Sequence, residues 1–170
     1  MTQPAQPPLA EQVEYAWLRL SGLWLKGLSD EEFWWEPGPD CWTVRLQPNG
    51  HWQCDYAEPD PVPAPLTNIA WKVGHLASCK HMYIEYAYGP AEQTWDELEY
   101  PRTLADALRW LDAGHDRVAK ALAGETDLAR EVATNWGGRE PAWWIFWTLT
   151  HHDLTHGAEI GLLRDLFRSR

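Results

Sequence analysis

Residues 142–170 read AWWIFWTLTHHDLTHGAEIGLLRDLFRSR, and this stretch decides the fold class. Apolar and histidine residues recur in it three or four positions apart, which is the spacing of one helix face. Pro141 precedes the stretch and is favoured in a first helical turn. We therefore predict a helix from about Pro141 to about Phe167. Its inward face comprises Ile145, Leu149, His152, His156, Glu159, Leu163 and Leu166.

Three further helices are predicted upstream, at about 9–28, 67–88 and 103–124. The first follows the helical period through Leu9, Val13, Ala16, Leu20 and Leu23. The third follows it through Leu104, Leu108, Leu111, His115, Val118 and Leu122. Ser29 and Glu32 resemble a capping box for a short turn after the first helix. A loop is expected at about 125–139, around Gly137 and Gly138.

The segment 37–66 is rich in proline and interrupts the helical pattern. Within it, residues 42–46 and 51–56 alternate and are rich in aromatic and β-branched side chains, with Pro48-Asn49-Gly50 nearby as a turn. Residues 1–8 are expected to form a loose tail. The chain as a whole, residues 1–170, is predicted to be one all-α domain: an antiparallel four-helix bundle with a small β-hairpin insertion between helices 1 and 2.

Charge and composition narrow the functional classes. Fourteen Lys and Arg against 25 Asp and Glu give a net charge of −11, which disfavours binding to nucleic acid and to anionic membranes. No run of about 18 apolar residues could span a bilayer, and no secretory leader is expected. Three widely spaced cysteines form no disulfide framework, so we expect a cytoplasmic protein.

The helix 142–170 places three polar residues in the middle of an aliphatic face. Burying an unpaired polar group costs about 1–3 kcal/mol, so these residues need partners. His152 and His156 are one helical turn apart and can converge on one metal ion, and His75 of the second helix can supply a third imidazole. Three histidines leave one coordination position open. Ordinary polar packing explains the same pattern about equally well.

The other histidines and the cysteines are weaker candidates. His115 lies on the inward face of the third helix, as a hydrogen-bonded core residue or as a neighbour of the site. Cys79 follows His75 by one turn and is either a neighbour of the metal or a small apolar packing residue. His151 is expected to face solvent or an interface, His81 is expected at the surface, and His51 is expected to be an ordinary hairpin residue. The aromatic stretch 143–147 is expected to serve packing and dimerisation.

Three ordered motifs are similar to one known family. They are LSDEEFWWEPGP at 28–39 followed by WTV at 42–44; IAW at 69–71 with GHL at 74–76; and HDLTHGAEI at 152–160 followed by LLR at 162–164. The chain resembles the DinB-like family of metal-binding four-helix bundles. The resemblance implies a divalent metal, often zinc or nickel, bound by His75, His152 and His156, and commonly a homodimer.

Characterised relatives include S-transferases that use bacillithiol or mycothiol and a mycothiol-dependent maleylpyruvate isomerase, so the resemblance implies a small-molecule substrate and a low-molecular-weight thiol. Many members carry Arg-Gly-Gln after the last ligand, where this chain has Gly157-Ala158-Glu159. Glu159 is therefore a candidate catalytic residue that could orient a ligand, act as a base or approach the metal. The leading hypothesis is a metal-dependent S-transferase or hydrolase. The alternatives are a non-catalytic metal-binding or stress-associated dimer, and a bundle without metal.

Overall fold

The computed structural model of the protein describes residues 8–59 and 61–170, so residues 1–7 of the predicted tail lie outside the described part. The helices in chain order are α1 (Leu9–Arg19), which continues as a π-helical turn (Leu20–Trp24), α2 (Asp30–Trp34), α3 (Ile69–Tyr88), a 3-10 turn (Trp95–Glu97), α4 (Leu104–Gly124) and α5 (Ala142–Ser169). Two antiparallel pairs of strands accompany them: β1 (Val44–Leu46) with β2 (Trp52–Cys54), and β3 (Glu131–Thr134) with β4 (Gly138–Pro141).

The four long helices pack in a ring, in which α1 contacts α4 and α5, and α3 also contacts α4 and α5. Each side of the ring contributes fully buried aliphatic side chains, among them Leu20, Leu76, Leu111 and Ile145. The predicted all-α bundle with a hairpin insertion is confirmed. Within the described ranges, no helix has both the length and the apolar character needed to cross a bilayer.

The helix starts follow the capping residues. The Thr103 hydroxyl accepts a hydrogen bond from the backbone N–H of Asp106, and Ser29 and Glu32 form the predicted capping box. Pro141 was predicted as the first residue of the last helix, but its backbone is extended and it pairs with Glu131 in the strand β4, so α5 begins one residue later.

The first helix ends earlier than predicted and changes register before it does. The backbone N–H of Leu25 donates to the carbonyl of Leu20 over 2.9 Å, a π-type bond that adds one residue to the turn. Leu23 is therefore turned outward, with half of its surface exposed, and its predicted core position is wrong. Trp24 packs against α5 instead, so closely that a Cβ at Gly157 would clash with its ring.

The second strand pair corrects the prediction of a loop at 125–139. Strand β3 packs against α3, which buries Val132 and Thr134, and Gly137 and Gly138 turn the chain with φ of +78° and +150°. Strands β3 and β4 have four residues each, which is too few to show a clear alternating pattern in the sequence. The predicted first hairpin is present, with Val44 opposite Cys54.

The buried face of α5 also differs from the predicted one. Leu166 and Glu159 are nearly half exposed, and the core face includes Asp153, Gly157 and Arg164 instead. Asp153 accepts a hydrogen bond from Lys80 over 2.6 Å, and both side chains are buried. Because charged residues can be buried when they are paired, apolar periodicity alone misplaces this face.

The Arg164 guanidinium joins α5 to the link that follows the first helix. It donates to both carboxylate oxygens of Glu32, which is 3% exposed, and to the backbone carbonyls of Trp24, Lys26 and Gly27. Arg168 adds one exposed contact to Glu32 at 3.0 Å. One buried cation therefore ties this link to α5, beside the buried apolar side chains of Leu25, Leu28 and Phe33.

Candidate metal centre

Helices α3 and α5 bring three imidazole rings together. The ring centre of His75 lies 5.5 Å from that of His152 and 5.0 Å from that of His156, and the two rings on α5 are 5.8 Å apart. The pair on α5 shares one face because its members are four residues apart, and α3 packs directly against that face. The structure thus brings together the three histidines that the resemblance implied as ligands.

Two of these rings are held in their neutral form. Burial, together with the nearby His156 and His152, lowers the pKa of His75 to about 3. Burial and the neighbouring His156 lower the pKa of His152 to about 4. A histidine must be neutral to donate a lone pair to a metal, so both rings are in the ligating state at neutral pH.

Glu159 fixes the orientation of the third ring. Its Oε2 lies 2.7 Å from Nδ1 of His156 and accepts a hydrogen bond of 2.7 Å from Nζ of Lys72. Burial raises the pKa of Glu159, but the hydrogen bonds from Lys72 and His156 outweigh it and lower the pKa overall. Because the ionised carboxylate can only accept, Nδ1 of His156 carries a hydrogen, which leaves Nε2 as the nitrogen that could bind a metal.

Cys79 lies beside His75, one turn further along α3. Its Sγ is 3.8 Å from Nδ1 and 3.7 Å from Nε2 of that ring, and the side chain is 2% exposed. His75, Cys79 and His152 each offer one ligand atom, and these three atoms lie within 4.8 Å of one another. Burial raises the pKa of Cys79 to about 12, although a hydrogen bond from the Tyr83 hydroxyl acts in the opposite direction.

The donor set fits a divalent transition metal. Imidazole and thiol groups suit zinc, nickel or copper, whereas magnesium and calcium prefer oxygen ligands. Nδ1 of His152 is buried and, among the described residues, has no hydrogen-bond partner. A buried polar atom without a partner is costly, so a cation at this point would satisfy a group that the protein leaves unsatisfied.

A pocket of about 390 Å³ opens beside His75. The β1–β2 hairpin, the 3-10 turn and α3 form its walls, which contain four aromatic rings and two carboxylates but no lysine or arginine. Apart from His75, these residues are Gln53, Cys54, Asp55, Tyr56, Trp71, Trp95, Asp96 and Tyr100. Trp71 stacks on the His75 ring with 4.9 Å between centres and donates from Nε1 to the backbone carbonyl of Asp55. The insertion therefore forms part of the site.

None of these aromatic residues was predicted from the sequence to line a pocket. The alternating aromatic pattern of the hairpin indicated a half-buried surface, but it could not say which helix the hairpin covers. A larger hollow of about 530 Å³ lies at the ends of α3 and α4, against Tyr88, Arg117 and Arg130, and none of the three clustered histidines lines it.

The remaining histidines lie in other surroundings. His115 is buried, stacks on Trp17 with 4.2 Å between ring centres, and has its Nε2 3.7 Å from a Glu14 carboxylate oxygen. His81 was expected at the surface but is half-buried against α4, where Nε2 lies 3.1 Å from the carbonyl of Trp110. His51 contacts Glu99, and His151 is exposed and stacks on Trp147.

Comparison with known proteins agrees with the geometry. A search of curated proteins found no match. A family profile described as the DinB superfamily matches residues 12–160, which covers most of the chain and includes all three clustered histidines. The chain therefore belongs to the DinB superfamily.

Proposed function

We propose that this protein binds a divalent transition metal, zinc or nickel, through His75, His152 and His156, and that it is a metal-dependent enzyme acting on a small molecule. The observation that carries the proposal is the meeting of three imidazoles from two helices beside an open pocket. The reaction class is S-transfer from a low-molecular-weight thiol, or hydrolysis. When bound, the metal would lower the pKa of a thiol or a water molecule and so supply the nucleophile.

The protein's own residues have three tasks in this proposal. Glu159 accepts a hydrogen bond from Nδ1 of His156 and another from Lys72. It is therefore a positioning residue, which affects the reaction by orienting His156. Trp71 covers one face of His75 and keeps that ring in place. The four aromatic side chains of the walls give the pocket an apolar surface against which a substrate can pack.

The walls of the pocket also favour a substrate class. Among the described residues, its lining includes Asp96 and Asp55, of which Asp55 is paired with Arg45 at 2.8 Å, and no cationic side chain, on a chain whose net charge is −11. Aromatic faces beside carboxylates attract cations and flat uncharged groups and repel anions. We therefore propose an uncharged or cationic substrate of small size.

Two further proposals concern assembly and compartment. Trp136, Trp143 and Trp147 each expose close to half of their surface, and Trp is enriched in the buried centre of protein interfaces. We propose that this aromatic surface forms a homodimer, with sedimentation of the Trp147→Glu variant as the test: a monomer supports the proposal and an unchanged dimer contradicts it. The three free cysteines support a reducing, cytoplasmic location.

The first experiment measures metal content. Protein purified without a histidine tag and equilibrated with zinc or nickel is expected to hold about one equivalent of metal by elemental analysis. His152→Ala should lose it, whereas His151→Ala, which changes an exposed neighbour of the same type, should keep it. Less than a tenth of an equivalent in the parent protein would overturn the proposal.

The second experiment separates an enzyme from a protein that uses the metal only for stability. Because the ligands lie on α3 and α5, a bound metal also cross-links the bundle, so a non-catalytic metal-binding dimer is the second candidate. Thiol–electrophile and hydrolysis panels are run on the metal-loaded parent and on His152→Ala. Activity that disappears with the metal supports the enzyme. A metal-dependent rise in melting temperature with no turnover in either panel supports the second candidate.

A further inference from the structure

We infer that the Cys79 thiolate is a fourth protein ligand of this metal, so that the centre is a mixed nitrogen and sulfur site. The inference rests on the proposed three-histidine site and adds a ligand that the family resemblance does not supply. Because the thiolate would occupy the position that three histidines leave open, the thiol or water of the proposed reaction would have to enter as a fifth ligand.

The separation of the donor atoms matches coordination geometry. A tetrahedral zinc ion with bonds of about 2.0–2.1 Å to nitrogen and about 2.3 Å to sulfur holds a nitrogen and a sulfur ligand about 3.6 Å apart. Sγ of Cys79 lies 3.7 Å from Nε2 and 3.8 Å from Nδ1 of His75. The separation between His75 and Cys79 is therefore the one expected of two ligands that share an ion.

The position of Cys79 on the helix explains this closeness. Residues four apart on a helix lie one above the other, so Cys79 faces the same way as His75, towards α5. His152 completes the group of three donor atoms that lie within 4.8 Å of one another, and His156, which is outside this group, would have to move closer to share the ion. His75 thus has a sulfur neighbour on its own helix as well as two imidazole neighbours on α5.

The surroundings of Cys79 can support a thiolate once a cation is present. Tyr83 lies beside the sulfur, where its hydroxyl acts to lower the pKa of the Cys79 thiol, and the Tyr83 ring packs 6.1 Å from the ring of His152. Burial keeps the thiol protonated without a cation, whereas coordination to a metal removes its proton. Binding of the ion would therefore replace the S–H bond by a sulfur–metal bond and release that proton to solvent.

Cys54 offers a matched control. It lies on β2, at the wall of the pocket, and its thiol donates to the backbone carbonyl of Trp71 over 3.5 Å. Like Cys79 it is a free thiol, but it lies outside α3 and is not one of the three grouped donors. A sulfur ligand at the metal should therefore be sensitive to substitution of Cys79 and insensitive to substitution of Cys54.

The test uses the full chain, without a tag, loaded with cobalt. Cobalt reports its own binding through visible absorption and reports a sulfur ligand through an intense near-ultraviolet charge-transfer band. We expect both signals in the parent protein and in Cys54→Ser. Cys79→Ser and Cys79→Ala should keep visible absorption and lose the near-ultraviolet band. The parent should also release one more proton per cobalt than Cys79→Ser in a weakly buffered titration.

The outcomes separate this inference from the proposed function. Stoichiometric visible absorption in the parent without the near-ultraviolet band would overturn the Cys79 ligand and leave the three-histidine site standing. Loss of the band in Cys54→Ser, with retention in Cys79→Ser, would overturn it in favour of the other thiol. A parent protein that binds no cobalt would overturn both. If both Cys79 variants fail to fold, the parent protein and Cys54→Ser still decide the question. A near-ultraviolet band that persists in Cys54→Ser supports the Cys79 ligand, and a band that disappears there contradicts it.

Discussion

Replacing Arg164 by methionine tests whether one buried cation holds the link between the first helix and the rest of the bundle. The substitution keeps an apolar stem of similar length and removes the guanidinium. Five hydrogen bonds are lost, two to the Glu32 carboxylate and three to the carbonyls of Trp24, Lys26 and Gly27.

The expected cost follows from what remains around Glu32. Removing one partner of a buried ion pair typically costs 3–5 kcal/mol, because the other charge stays buried without compensation. Here the backbone N–H of Ser29 and the exposed Arg168 still contact Glu32, so we expect the lower end of that range, about 3 kcal/mol at pH 7. Arg168→Met, the matched control, removes only an exposed contact and should cost less than about 1 kcal/mol.

The assay is urea unfolding of both variants and the parent, with metal chelated so that ligand binding does not contribute. Burial raises the pKa of Glu32, and the Arg164 hydrogen bond is the largest influence that lowers it again, so in the parent the pKa lies below its usual value. Without Arg164 we expect this pKa to rise above its usual value. The variant's deficit should then shrink as the pH falls from 7 to 5, because protonation removes the uncompensated charge. Equal stabilities of the two arginine variants, or a deficit that does not change with pH, would refute the reasoning.

Three further predictions concern the bundle and the site. Gly157→Ala should lower the free energy of unfolding by about 1–3 kcal/mol, because the new Cβ would clash with the Trp24 ring. The loss should be smaller in a Trp24→Leu background, and equal losses in both backgrounds would contradict the contact. Burial lowers the pKa of His115 to about 4, so the free energy of unfolding should fall as the pH drops from about 6.5 towards 4. In urea titrations at several pH values His115→Leu should show a shallower fall, and an identical pH dependence would contradict this role of His115. Glu159→Gln should weaken zinc binding 10–100-fold by competition with a chelator, whereas unchanged affinity would show that the contact with His156 does not support ligation.

The helices and their caps could be predicted from the sequence because their signals are local. Thr103, Ser29 and the repeating apolar positions of α4 act within a turn or two of the chain, and the structure confirms them. The π-helical turn after Arg19 was not predictable, because it follows from the fit of Trp24 against Gly157, a contact between the two ends of the sequence. The face of α5 was misplaced for a related reason, since Asp153 is buried only because Lys80 of another helix pairs with it.

The candidate site, too, could be predicted from the sequence only in part. The spacing of His152 and His156 indicated a shared face, His75 was the imidazole that the second helix could add, and the family resemblance pointed to the same three residues, which the structure brings close together. The pocket could not be predicted, because its walls come from segments that are distant along the chain and meet only in the folded molecule. Their closeness depends on how the hairpin docks, and short strands carry little information about docking.

The β1–β2 hairpin has an evolutionary consequence. It packs against α3 and supplies part of the lining of the cavity through β2 and the residues that follow it, while His152 and His156 stand on α5. Selection can thus vary the lining residues Gln53 and Tyr56 and change which molecules are admitted, without rebuilding the helix that carries two of the three histidines. Grafting this short insertion between relatives would move preference for a substrate as a transferable module.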